Sequence, residues 1–342
     1  MIVKDLKSMT LPEIEEVVLS LNFPKFRAKQ VFDWMQKGVD SFEEMKNIPK
    51  NLIDVLKIGH YISYTKIEKK FESKIDDTVK YLFKLCDGEL IESVVMKYKH
   101  GYSICVSSQV GCNMGCKFCA STIGGKVRDL TAGEILSQIY TASRDLNIRI
   151  SNVVMMGMGE PFDNYENAMR FLDLVGLEGG LNIGMRHISL STCGIVDKIY
   201  KLMNENRQIT LSISLHAPFD DMRDSIMPVN HRYKIEELIK SCKDYTQKTG
   251  RRISFEYALI GGFNDTVECA DKLKELLGGM LAHINLIPAN PVHEGKFIKP
   301  DKKSVYAFCD MLNKRGLNAT VRRTLGGDID ASCGQLRAKH KD

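Results

Sequence analysis

The sequence has no uninterrupted apolar run approaching the length that crosses a bilayer, so no membrane-spanning helix is expected. Its start, MIVKDLKSMTLPE, lacks the charged residues followed by an apolar stretch that mark a secretory signal, and the expected compartment is the cytosol. Internal repeats and low-complexity tracts are missing too, which argues against repeat arrays and linker-like chains. Pairs of C-x2-C knuckles, the usual framework of a structural zinc site, are likewise missing.

What is present is ordinary globular material: 342 residues, 44% hydrophobic and 27% charged, enough for one large core and an accessory domain. Ten cysteines in a cytosolic chain are mostly reduced thiols, so the question is which are ligands or reagents. Cys86, Cys193, Cys242, Cys269 and Cys309 sit among apolar neighbours or in turns and receive no role. The net charge of +5 is modest, but basic residues cluster at Lys66, Lys69, Lys70 and Lys74, at Lys296, Lys299, Lys302 and Lys303, and at Arg322, Arg323, Arg337, Lys339 and Lys341. Such clusters suit a phosphate backbone. Interspersed Glu68, Glu72 and Asp301 describe solvated faces equally well, so charge alone does not choose.

Residues 10–60 read as helical. Thr10 and Glu13 make a capping box with Pro12 in the first turn, and Ile14, Val17, Val18 and Leu21 recur at helical spacing. Further helices are expected around 25–37, with Lys25, Arg27, Lys29 and Lys37 as RNA contacts or a plain solvated face, and after Pro49. From about residue 78 the period becomes that of strands: TVKYLFKL, a turn at Asp87-Gly88, LIESVVMKY, a break at His100-Gly101, then YSICVSSQ, an antiparallel meander. Beyond it, strand-like segments near 152, 187, 209, 252, 283 and 319 alternate with helical patterns. That alternation predicts an α/β fold with a parallel sheet, an open or closed barrel with its site at the carboxyl ends of the strands; a doubly wound sheet is the alternative. The expected domains are a helical accessory domain over 1–75, an antiparallel extension over 76–100, the barrel over 101–325 and a tail over 326–342.

The segment GCNMGCKFCAS places Cys112, Cys116 and Cys119 as C-x3-C-x2-C directly after a strand. Three thiolates so close can wrap one face of a cubane iron-sulfur cluster, whose full protein complement is four. One iron then stays open to bind the amino and carboxylate groups of S-adenosylmethionine and reduce its sulfonium. Phe118 either shields the cluster or packs in the core. MMGMGEP follows the next strand, where glycines allow close backbone approach and Glu160 can receive an ammonium group. Ser191, Ser214 to His216 and Asn290 also end predicted strands and can face one barrel mouth.

At this point the chain resembles the RlmN/Cfr family of bacterial radical S-adenosylmethionine RNA methyltransferases. The resemblance rests on IESVVMKYKHGYSICVSSQVGCNMGCKFCAS, LTAGEIL, MGMGEP, SISLHAP, NLIPANP and VRRTLGGDIDASCGQLR. It implies a partial (β/α) barrel of the radical S-adenosylmethionine type, a [4Fe-4S] cluster on Cys112, Cys116 and Cys119, and S-adenosylmethionine held by Gly159, Glu160, Ser191, Ser214, Leu215, His216 and Asn290. It also implies that Cys333 becomes S-methylated, that Cys105 is the second catalytic cysteine and that Glu92 is a proton acceptor. Without the resemblance, Cys105 reads as a core residue, Cys333 as an incidental thiol in a tail and Glu92 as a solvent-facing carboxylate.

The implied chemistry answers a real difficulty, because carbon 2 of adenine is electron-poor and cannot displace a methyl group from a sulfonium. One S-adenosylmethionine methylates Cys333, and a second yields the adenosyl radical that takes a hydrogen from that methyl group. The methylene radical adds to the ring, and Cys105 resolves the adduct by attacking Cys333, leaving a disulfide. Pro161 after Glu160, and LIPAN, look like the carbon 2 branch and not the carbon 8 branch typified by Cfr. The implied partners are 23S ribosomal RNA at the peptidyl transferase centre, some transfer RNAs at the adenine 3' of the anticodon, and a low-potential electron donor such as flavodoxin or ferredoxin, with no membrane and a monomeric chain. The competing expectations are a carbon 8 methyltransferase, a methylthiotransferase or activating enzyme, and a non-enzymatic iron-sulfur assembly factor that binds RNA. A methylthiotransferase should carry a second cysteine triplet, which this chain lacks.

Overall fold

The computed structural model describes residues 3–288, 298, 300–332 and 334–336. The chain opens with strand β1 (Lys4–Asp5), followed by helices α1 (Leu11–Ser20), α2 (Phe26–Gln36) and α3 (Lys50–Gly59) and strand β2 (His60–Tyr61), which pairs with β1. The capping box is formed: the Thr10 N–H donates to the Glu13 carboxylate at 2.7 Å, satisfying one donor that a helix start leaves orphaned. Ile14, Val18, Val31, Met35, Leu52 and Leu56 make a core separate from that of the remaining chain. This small unit is fastened by a polar seam. The buried Asp5 carboxylate accepts from the Lys7 and Ser63 N–H groups and from the Ser8 and Thr131 hydroxyls, while Lys7 Nζ donates to Ser137 Oγ at 3.0 Å.

An antiparallel wing follows: β3 (Lys66–Glu72), β4 (Val79–Lys84), β5 (Leu90–Tyr98) and β6 (Gly101–Cys105). Lys66–Glu72 lies inside the expected helical domain, yet it is an edge strand of the main sheet, so the boundary placed at 75 moves back to before residue 66. Its sequence, KIEKKFE, is exposed at six of seven positions; charge along an edge strand discourages pairing with other chains and hides the alternation that marks a half-buried strand.

The expected single strand YSICVSSQ is two elements, because β6 ends at Cys105 and a short hairpin of β7 (Gln109–Gly111) and β8 (Lys126–Asp129) stands apart. Then come α4 (Ala132–Leu146), β9 (Ile150–Met155), α5 (Tyr165–Val175), β10 (Ile188–Thr192), α6 (Val196–Glu205), β11 (Thr210–Ser214), α7 (Asp220–Ile226), α8 (Ile235–Thr249), β12 (Ile253–Leu259), α9 (Val267–Leu277), β13 (Ala282–Pro288), α10 (Lys302–Lys314) and β14 (Ala319–Val321). The ten-stranded sheet runs β14-β13-β12-β11-β10-β9-β6-β5-β4-β3. From β6 to β14 every pairing is parallel and each strand lies beside its predecessor in that sheet. A doubly wound sheet would reverse its order at a switch point; this one never does. It is a partial barrel with the antiparallel wing extending one margin. Ser214, Glu256, Asn285 and Thr320 fall in one rung across β11 to β14, a polar layer near the carboxyl ends of these strands.

Candidate active site

The loop after β7 and the carboxyl ends of the parallel strands enclose a cavity of about 1070 Å³, open mouth included, lined by Cys112, Cys116 and Cys119. The cysteine loop is wound tightly. Cys112 N–H donates to Gly125 O at 3.1 Å, Cys119 N–H to Cys116 O at 3.1 Å, and Lys117 N–H to Ile226 O at 3.0 Å, while the Thr122 hydroxyl donates to Cys119 O at 2.9 Å. Helix α7, too short to leave a clear periodic pattern in the sequence, therefore anchors this loop. Phe118 meets the His216 ring edge-on, with centroids 4.7 Å apart. Burial pushes the Cys112 thiol up to about 12 and raises Cys116 further, helped by the other two thiols. Thiols in such a place ionise when a metal takes the proton's position.

The MMGMGEP turn presses against the chain leaving β6. Gly159 has φ +99°, and a Cβ there would lie 2.6 Å from the Gln109 side chain, so only glycine fits. Glu160 is fully buried, and burial raises its carboxyl above the usual range, opposed by the Cys193 and Phe162 N–H groups that it accepts at 2.7 and 3.0 Å. His216 takes a left-handed backbone, φ +59°, a conformation that a side-chain-bearing residue holds only under local constraint. Its Nδ1 accepts the Ala258 N–H at 2.9 Å, and burial together with nearby Arg223 pushes it down to about 3. The ring is neutral with its proton on Nε2, a donor into the cavity.

Gly159, Glu160, Ser191, Ser214 and His216 line this cavity together. Leu215, expected beside them, is fully buried in the core with its N–H on Glu256 O. Its side chain packs in the apolar core and does not line the cavity. Asn290 lies outside the described residues.

The sequence reading missed several cavity residues. Glu256 accepts Asn285 Nδ2 at 2.6 Å and Ser254 Oγ at 3.0 Å and lies 3.9 Å from the Arg322 guanidinium; a lone carboxylate inside the apolar run RISFEYALI was its signal. Arg322 follows β14, at a strand end where a barrel places chemistry. Cys193 is a fourth thiol on the wall, buried near Cys116. Arg223, fully buried, donates to the carbonyls of Cys193, Ser214 and Leu215 and so ties the ends of β10 and β11; nothing in its sequence neighbourhood announces that.

A second cavity adjoins the first, sharing Met156, Ile287, Pro288 and Arg322 with it. Cys105, the last residue of β6, lines it, as does Ser332 of the tail, whereas Gly334 lines the first cavity. Cys333 lies outside the described residues. Its flanks are firmly held: Ala120 N–H donates to Gly334 O at 2.7 Å, Ser121 Oγ to Leu336 O at 2.7 Å, and Asp328 accepts from Ser73 Oγ and Lys74 N–H. Glu92 is buried, not solvent-facing. It sits on the same β5 face as Val94, Met96 and Tyr98 of the second cavity, 3.7 Å from Lys80 Nζ, and lines neither cavity.

A family model described as "Radical SAM superfamily" matches residues 106–277, and one described as "Ribosomal RNA large subunit methyltransferase N-terminal domain" matches residues 4–62. A protein of Clostridium acetobutylicum named "Probable dual-specificity RNA methyltransferase RlmN" is 55% identical over 92% of this chain and 91% of its own length. The chain belongs to the RlmN family. A protein of the same name from Alkaliphilus oremlandii is 54% identical over 98% of both chains. A radical SAM methyltransferase of Sphaerobacter thermophilus, solved by crystallography, superposes with a TM-score of 0.93 at 42% identity, covering 98% of this chain and 100% of that one.

An RlmN-family enzyme is a radical S-adenosylmethionine methyltransferase acting on RNA, and its superfamily uses a four-iron four-sulfur cluster. The donor set here fits that group. Three thiols face one cavity and influence one another's ionisation, yet among the described residues no three Cys, His, Asp or Glu side chains converge closely enough to ligate a single ion. Three cysteine thiols around one cavity would hold an iron-sulfur group as thiolates and leave part of it open to a further ligand.

Proposed function

We propose that this enzyme methylates carbon 2 of an adenine in the peptidyl transferase centre of 23S ribosomal RNA and of the adenine 3' of the anticodon in some transfer RNAs, through an S-methylated Cys333. The observation that carries the reading is the pair of adjoining cavities, with the cysteine triplet in one, Cys105 in the other, and tail residues Gly334 and Ser332 divided between them.

The cluster, held by Cys112, Cys116 and Cys119, supplies when bound the electron that splits the sulfonium of S-adenosylmethionine. Gly159, Glu160, Ser191, Ser214, His216 and Asn290 orient that cosubstrate, His216 as a neutral donor and Glu160 as an acceptor fixed by two backbone N–H groups. Cys333 takes the methyl group from one S-adenosylmethionine and, after a second is consumed, presents its carbon to the adenine ring. Cys105 resolves the resulting adduct by attacking Cys333, and the disulfide so formed is reduced before the next cycle. Glu92, two residues along β5 from the Val94 that stands opposite Cys105, is the candidate acceptor of the ring proton. A low-potential flavodoxin or ferredoxin supplies electrons to a monomeric chain.

Mass spectrometry of nucleosides from unmodified RNA incubated with the reduced enzyme and S-adenosylmethionine tests this. The expected product is 2-methyladenosine. 8-Methyladenosine would move the enzyme to the carbon 8 branch, and tight RNA binding with no product and no 5'-deoxyadenosine would make it an assembly factor.

A further inference from the structure

Lys80 is a buried ammonium that the proposed chemistry leaves unused. It stands on β4 opposite Val94 of β5, which in turn stands opposite Cys105 of β6, so the three side chains form one rung on the face beneath the second cavity. Its side chain and that of Glu92 are 9% and 7% exposed. Among the described residues the ammonium meets the Glu92 carboxylate at 3.7 Å, the Asp330 carbonyl of the tail, to which it donates at 3.3 Å, and the Phe71 ring, centroid 5.0 Å away. A buried cation needs such partners, because desolvation otherwise outweighs its attraction to any one of them. Two belong to the sheet and the third to the tail, three residues before Cys333.

From this geometry we infer that Lys80 is a positioning residue: its charge joins the Glu92 strand to the Asp330 carbonyl and so holds the stretch of tail that leads to Cys333. The inference rests on the two-cysteine reading above. Asp328 and Ser332 hold the tail on either side of this point, and Lys80 adds a charged hydrogen bond from the sheet face that also carries Glu92. An apolar side chain of similar length would fill the space and leave the Asp330 carbonyl without that donor.

The test uses the full-length protein with its cluster, without oxygen, exposed to oxidised glutathione. Cys105 and Cys333 together lose two protons and two electrons, the glutathione disulfide leaves as two thiols, and the linked peptides are counted by mass spectrometry while cluster absorbance is followed. The wild type should form the Cys105 to Cys333 link. Lys80→Met should form it about tenfold more slowly or worse, the loss expected for one charge-assisted hydrogen bond, and Lys80→Arg should recover most of the rate, which a purely space-filling role would not require. A Lys80→Met rate equal to wild type, or a Lys80→Arg rate as slow as Lys80→Met, would overturn the inference alone. No link in the wild type would overturn the cysteine pairing and this inference with it. If Lys80→Met loses its cluster or fold, Lys80→Gln, which keeps a donor without the charge, is read by the same criteria.

Discussion

Replacing Gly334 by alanine probes whether the cluster loop and the tail are one mechanical unit. Gly334 has φ +81°, and an added Cβ would lie 2.9 Å from Phe118 O, a backbone atom that cannot swing away. Holding alanine in that left-handed conformation costs about 1–3 kcal/mol. Withdrawing Gly334 O from the Ala120 N–H, now 2.7 Å away, costs about 0.5–1.5 kcal/mol more. The sum shifts the docked-to-undocked ratio of this segment by roughly tenfold to a thousandfold. Hydrogen exchange reads the shift directly at the Ala120 amide, which should exchange faster by that factor while amides of β11 and β12 keep their protection. Ser121→Ala removes only the bond to Leu336 O and should accelerate exchange less, in line with one hydrogen bond. An Ala120 amide as protected in Gly334→Ala as in the wild type would refute the reasoning, because the tail would then be docked by contacts other than these.

Iron-reconstituted Cys112→Ala should lose the broad visible absorption of thiolate-bound iron, and an unchanged spectrum would exclude that residue as a ligand. Cys105→Ala should accumulate a covalent protein-RNA species on a denaturing gel, since the resolving thiol is gone; free RNA alone would count against the role. Asp5→Ala strips the polar seam of an acceptor used by four donors and should lower stability to urea by about 2–4 kcal/mol, whereas an unshifted midpoint would show the seam to be dispensable. Burial would raise the Asp76 carboxyl, but hydrogen bonds from Thr78 and Gly326 outweigh it and hold the group below its ordinary 3.8. A depressed folded-state value means this anchor contributes above pH 3.8 and is lost as the pH falls through that lower value. The Gly326 amide should therefore stay protected until the solution is more acidic than pH 3.8, while Asp76→Asn should expose it at neutral pH; loss of wild-type protection near neutrality would contradict the assignment.

Most of the fold was legible because its segments obey a single period. The alternation of strands and helices after residue 150 gave the parallel sheet, and Asp87-Gly88 and His100-Gly101 marked the turns of the wing. The segments that escaped are those where one period does not govern. KIEKKFE carries charge on an edge, and DDMRDSI is two turns long, held by Arg223 reaching strand ends distant in sequence. The cysteine triplet stood out by spacing alone, since its members are neighbours in sequence, and the fold puts all three on one cavity. Cys105 and Ser332, 227 residues apart by number, share a cavity only through the folded sheet, and a lone thiol in an apolar strand looks like core. Glu92 and Lys80 illustrate the same limit, because a buried pair on adjacent strands resembles two solvated residues until the register is known.

The sheet described above has two free margins, β3 and β14, where a sealed ring would have none. An open sheet leaves the span between them to other parts of the chain, and here the stretch after β14 and the tail face β5 across the second cavity. In an enzyme that methylates RNA, the carboxyl-terminal segment is thereby part of the chamber wall and not an appendage to it.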